Sequence, residues 1–171
     1  YKRQIKDRSS RFVFNEKFMS WPYVIIFYNK VLTKDENMTK KVIVAGVGMI
    51  PFKKPGASEN YNVMGEKAAR AALEDAGLDY KLVQQAYVGY VYGDSTAGQA
   101  ALYGVGLSGI PIFNVNNYCS TGSSALFLAR QAVQSGTIDC AIALGFEQMT
   151  PGALDILFED RPNPLMRFYD E

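Results

Sequence analysis

Residues 110–136 read Ile-Pro-Ile-Phe-Asn-Val-Asn-Asn-Tyr-Cys-Ser-Thr-Gly-Ser-Ser-Ala-Leu-Phe-Leu-Ala-Arg-Gln-Ala-Val-Gln-Ser-Gly. A short apolar run, residues 110–115, enters a turn of small polar residues. The chain leaves it with Ala125, Leu128, Ala129, Ala132 and Val133 at i, i+3, i+4, i+7 and i+8, the buried stripe of an amphipathic helix. Gly136 is placed to end that helix. This is a strand, a tight turn and a helix packed back on the sheet. The same unit repeats outward. Residues 139–145 read as a strand, fully apolar between its ends, on one side. On the other, residues 42–47 read as a buried strand closed by Gly48 and a loop holding Pro51, Pro55 and Gly56. Residues 62–76 predict a helix with Met64, Ala68, Ala71 and Ala72 on its buried face, stopped by Gly77. Residues 85–91 predict a strand and residues 99–107 a helix. Four strands alternating with three helices predict βαβ units around a parallel sheet covered on both faces, an α/β fold.

The 171 residues are 48% hydrophobic and 20% charged, with 18 Lys plus Arg against 17 Asp plus Glu. That is globular composition with a net charge of +1, which gives no field to attract nucleic acid. The charge is unevenly placed. Residues 1–37 hold 8 basic and 4 acidic side chains and no Gly, whereas all 15 Gly fall between Gly46 and Gly152. This break predicts that the domain proper opens at Met38, with residues 1–37 a mobile or extraneous N-terminal extension. Lys2, Arg3, Lys6, Arg8 and Arg11 faintly suggest a targeting presequence. The apolar run 23–28 is far short of the ~20 residues that cross a bilayer.

Two Cys and no His stand in the chain. A disulfide framework and an all-Cys zinc site are excluded, and no Ser-His or Cys-His pair can be assembled from these residues alone. Gly46 and Gly48 begin a dinucleotide fingerprint, but Pro51 stands where its third Gly belongs and no helix opens there, so a nicotinamide or flavin cofactor is not expected. Cys119 carries the strongest chemical signal. It precedes a helix, where unpaired amides and the helix dipole favour an anion, and the thiolate is the attacking species. Ser120, Thr121, Gly122 and Ser123 leave room for a substrate carbonyl. The plain alternative is a structural thiol, which is the reading for Cys140 within its apolar strand. Asp94, Glu147 and Asp155 follow strand ends or lie in loops and read as solvated or capping carboxylates. Asn116 and Asn117 read as hydrogen-bonding groups of the Cys119 turn.

The run from Asn116 to Leu126 resembles the nucleophile motif of thiolases of the sterol carrier protein X type. Three further stretches agree in order and spacing: Val44-Ala45-Gly46-Val47-Gly48-Met49, residues 88–96, and Ala143-Leu144-Gly145-Phe146-Glu147-Gln148-Met149. The resemblance covers residues 41–161. It implies a thiolase-like layered αβαβα architecture, of which this chain is the N-terminal half only, a mixed sheet flanked by helices. Residues 38–150 would be the core and residues 151–171 the start of a loop domain. It implies acyl transfer between 3-oxoacyl-CoA and coenzyme A through a Cys119 thioester, with coenzyme A as substrate, no bound cofactor and no metal. The activating His and the second Cys of the family belong to the C-terminal half, so these 171 residues alone are expected to be inactive. A homodimer through the strand at 110–115 and a peroxisomal or cytoplasmic location are likewise implied. The competing reading is a non-catalytic thiolase-like module that binds acyl-CoA or dimerises.

Overall fold

The computed structural model describes residues 23–30, 41–151 and 158–164. The expectations for Met38 and Asp155 and for the presequence-like basic residues lie outside them. The elements are β1 (Tyr23–Lys30), β2 (Lys41–Met49), α1 (Tyr61–Ala76), β3 (Gln85–Gly89), α2 (Ala97–Tyr103), β4 (Ile112–Val115), α3 (Thr121–Gln134) and β5 (Cys140–Gly145). They form one sheet in the order β2-β1-β5-β3-β4. Helices α1 and α2 cover one face and α3 the other.

All four strands expected from the sequence are present and point the same way, as βαβ crossovers require: β3 is parallel to β4 and to β5, and β1 is antiparallel to both β5 and β2. The fifth strand corrects the expectation. The reading of residues 1–37 as an extension outside the core does not hold for Tyr23–Lys30, which lies inside the sheet. It pairs with β2 from Tyr23↔Met49 to Lys30↔Lys41 and with β5 from Tyr23↔Gly145 to Tyr28↔Cys140. The apolar run at 23–28 is a strand buried on both faces, for which such runs are the signature. Val24 and Ile26 are fully buried in the core under α1 and α2, and Phe27 enters the core under α3.

Element boundaries shift where backbone partners end. The strand expected over 85–91 stops at Gly89, and the helix expected over 99–107 runs Ala97–Tyr103, leaving Leu107 outside and exposed. Helix α1 is rotated from the expected stripe: it buries Met64, Gly65, Ala68, Ala69, Ala72 and Leu73, while Ala71 is half-buried. The rotation follows from Gly46 and Gly48. A Cβ at Gly46 would stand 2.5 Å from the Ala72 carbonyl oxygen, and one at Gly48 would overlap the Ala68 carbonyl oxygen. The helix backbone rests directly on β2, so the glycines that hint at a nucleotide loop serve helix–strand contact. Gly77 ends α1 with φ 64°, its N–H donating to the Glu74 and Leu73 carbonyls.

Gly48→Val is expected to force α1 off the sheet and cost about 3 kcal/mol of stability, read as a lowered urea midpoint at unchanged slope.

Candidate active site

The carboxyl ends of β2, β3, β4 and β5 share one edge of the sheet, the edge at which open α/β sheets place their ligands. Each exit segment is fastened there. After β5, Glu147 reaches across to β3's exit loop, accepting the Val91 N–H at 2.8 Å and the Tyr92 N–H at 3.0 Å on its two carboxylate oxygens. Its neighbour Gln148 accepts the Tyr61 N–H at 2.8 Å, capping a helix whose own N-cap residue, Asn60, makes no side-chain bond. Phe146 stacks between Tyr61 and Tyr90, with ring centroids 5.2 Å away on either side. Glu147 is therefore not a solvated carboxylate. Burial pushes its pKa up from 4.5, outweighing the backbone N–H groups of Tyr92, Val91 and Gln148 that favour the charged form.

The turn between β4 and α3 presents Cys119. Asn116 Oδ1 accepts the Tyr118 N–H at 3.3 Å, Asn117 Nδ2 donates to Ser124 Oγ at 2.9 Å, and Ser120 Oγ donates to the Asn117 carbonyl at 2.8 Å. Both asparagines thus brace the turn, as expected. Tyr118 sits in the left-handed region at φ 50°. Thr121, the first residue of α3, donates its hydroxyl to the Val115 carbonyl at 2.5 Å, and that carbonyl also accepts the Tyr90 N–H at 3.3 Å. The helix start is thereby tied to the ends of β4 and β3. Gly89 permits this: a Cβ there would stand 2.6 Å from the Thr121 carbonyl oxygen. Cys119 is exposed, in front of this first helical turn.

Cys140 has the opposite environment. It is 1% exposed within β5, and desolvation, with the Asp139 charge second, pushes its thiol up to about 11. Asp94 accepts the N–H of its neighbour Ser95 at 2.6 Å in a local turn. Among the described residues no group of three or more His, Cys, Asp or Glu is arranged to hold a metal, and no helix is long and apolar enough to cross a membrane. A recess with room for about one water lies beside Pro51, Lys53, Ser58, Met64, Glu147 and Met149, on the β2 side of the edge.

The roles of Glu147, Gln148 and Asn114 are additions to what the sequence suggests. Asn114 projects from β4 to accept the Gly98 N–H at 2.9 Å and donate to Gln99 Oε1 at 2.7 Å, fastening the edge strand to the start of α2. The signal open to inspection was a polar residue inside an apolar strand.

Residues 42–156 match the thiolase N-terminal domain family. Sterol carrier protein 2 of Gallus gallus is 55% identical over 130 residues, which are 75% of this chain and 24% of that protein. The benzoylsuccinyl-CoA thiolase subunit BbsB of Thauera aromatica is 39% identical over 116 residues, 66% of this chain and 29% of that one. The chain thus spans about a quarter of the length of such relatives. The 3-oxoacyl-[acyl-carrier-protein] synthase III structure from Aquifex aeolicus VF5 superposes with a TM-score of 0.50 over 77% of this chain and 45% of that chain, at 19% identity, a likeness of fold.

Two measurements test the geometry. Iodoacetamide on the folded chain should alkylate Cys119 more than about 100-fold faster than Cys140, read by peptide mass mapping, because Cys140 is both covered and held as the thiol. The raised Glu147 pKa means the folded chain binds that proton more tightly than the unfolded chain. Its contribution to stability is therefore present below the ordinary Glu range and lost as pH rises from there through the raised folded value. Glu147→Gln removes the titration, so the native chain should lose stability relative to this variant as pH rises above the ordinary Glu range, read in parallel denaturant titrations. With residues 42–156 matched to its N-terminal domain, the chain belongs to the thiolase family.

Proposed function

We propose that this chain is the nucleophile-bearing half of a thiolase-type acyltransferase acting on 3-oxoacyl-CoA and coenzyme A. The observation that carries the reading is the exposed Cys119 at the braced β4–α3 turn, within the family-matched residues. In this reading Cys119 Sγ attacks the 3-oxo carbonyl and forms a thioester as the C2–C3 bond breaks. The departing C2 takes up a proton and leaves as acetyl-CoA, so the acyl group held on Cys119 is two carbons shorter than the substrate's. The coenzyme A thiol then takes the acyl group from Cys119 and returns the free thiol. Amide groups at the start of α3 are suited to hold the carbonyl oxygen as it gains negative charge. Substrates of this class belong to lipid, fatty acid or sterol side-chain metabolism, and the setting proposed is peroxisomal or cytoplasmic. One relative is named a peroxisomal 3-ketoacyl-CoA thiolase, from Encephalitozoon cuniculi (strain GB-M1).

The 171 residues contain no histidine, so imidazole for proton transfer has to come from outside them. Taken alone they are proposed to be catalytically incomplete. The same observation favours the second reading, a non-catalytic module that binds acyl-CoA or dimerises. For a homodimer the free edge of β4 is the proposed contact: it pairs with β3 on one side, and its Phe113 is 45% exposed.

Two incubations of the 171-residue chain test this. With acetoacetyl-CoA and coenzyme A no release of acetyl-CoA is expected, and sustained turnover abolished by Cys119→Ala would overturn the incompleteness. With acetyl-CoA alone, thioester exchange breaks no carbon–carbon bond and releases coenzyme A, so an acetyl mass increment on Cys119, absent in Cys119→Ala, is expected; an unmodified Cys119 would overturn its role as nucleophile.

A further inference from the structure

The turn that presents Cys119 is closed by a circuit of side-chain hydrogen bonds from Asn117, Ser120 and Ser124, which lie on either side of the thiol. Asn117 donates from Nδ2 to Ser124 Oγ at 2.9 Å. Ser124 Oγ donates in turn to the Ser120 carbonyl at 3.1 Å, and Ser120 Oγ donates to the Asn117 carbonyl at 2.8 Å. The circuit runs from the entry of the turn into α3 and back, and Cys119 lies within the span it ties together.

Its arrangement departs from ordinary helix capping. Ser120 is the N-cap residue of α3, a position at which a serine oxygen commonly accepts an N–H from two or three residues on. Here the hydroxyl is turned back to the Asn117 carbonyl and makes no cap bond. The leading amides of α3 are thereby left without a side-chain cap, open to an oxygen brought up to Cys119. Stability gains little from the circuit. Asn117 and Ser120 are exposed, and exposed hydrogen bonds between neutral groups replace bonds to water at small net gain.

We propose that Asn117, Ser120 and Ser124 are positioning residues for acyl transfer at Cys119, the Asn117–Ser124 bond holding Ser120 turned away from α3 so that the helix's leading amides stay free for the carbonyl oxygen. The inference rests on the reading of Cys119 as nucleophile. Opening the circuit lets Ser120 rotate to the common cap position. That rotation steadies the helix and covers the amides that the reaction uses.

The full chain is compared with Asn117→Ala, Ser124→Ala, the variant carrying both, and Ser124→Thr, each incubated with acetyl-CoA. The acetyl group passes to Cys119 Sγ, and coenzyme A leaves as the thiol with the proton that Cys119 gives up. Parallel samples receive iodoacetamide, which needs an exposed thiol but no held carbonyl oxygen. Each single alanine variant is expected to acetylate Cys119 at least about ten-fold more slowly than the native chain, with its alkylation unchanged within about two-fold. The variant carrying both should be no slower than either alone, because both changes remove one bond, and Ser124→Thr, which keeps the hydroxyl, should restore the rate. Thermal midpoints are expected to match or exceed the native one. A marked fall in midpoint, or loss of the fold, would make the circuit structural and overturn the proposal. So would acetylation that is unchanged in the alanine variants, that falls together with alkylation, or that falls additively in the variant carrying both. A native chain that is not acetylated at all would end the nucleophile reading and this inference with it, an outcome distinct from the others.

Discussion

Hydrogen bonding of β1 on both of its edges is the constraint from which the rest of the layout follows. Four strands run in one direction, but β2 meets the others only through β1. Helix α1 rests on β2 with its backbone against Gly46 and Gly48, so the position of the α1 layer is inherited from that pairing. Tyr61 at the start of α1 stacks on Phe146 after β5, and Gln148 caps the same helix. The strand thus sets the distance across which these later contacts close. Amides and carbonyls along the facing edges of β2 and β5 would be costly to leave unpaired, and β1 bonds to both.

What could be read from the chain depended on range. The apolar runs of β2, β3, β4 and β5 and the stripes of α1 and α3 are local patterns, and all were legible. β1 was visible as a run of apolar residues but was set apart by the basic, glycine-free stretch around it. Its partners at 140–145 lie more than a hundred residues away, and local pattern carries no such information. The rotation of α1 by one position, burying Ala69 and Leu73 where Ala71 was expected, was fixed by backbone contact with two glycines and not by the helix's own periodicity.

The site divides in the same way. Cys119 was legible because the strand, the small-residue turn and the helix occupy one continuous stretch, and Asn116 and Asn117 act within a few residues of it. Glu147 and Gln148 act on amides 55 to 87 residues distant, and nothing in their neighbourhood distinguishes them from surface groups. Together with the Val115 carbonyl, shared by Tyr90 and Thr121, they make the exits of β3, β4 and β5 one connected assembly. The turn that presents the thiol is consequently held from beneath by groups drawn from three strands.

Tyr118 gives that turn a particular character. A side chain other than glycine at φ 50° costs on the order of 1 kcal/mol relative to a relaxed backbone, and it is the residue immediately before Cys119. Glycine there would relieve the cost and also give the thiol's carrier more directions in which to point. The chain accepts a slightly less stable fold in return for a sulfur with a restricted heading, a compromise between durability and aim written into one dihedral angle.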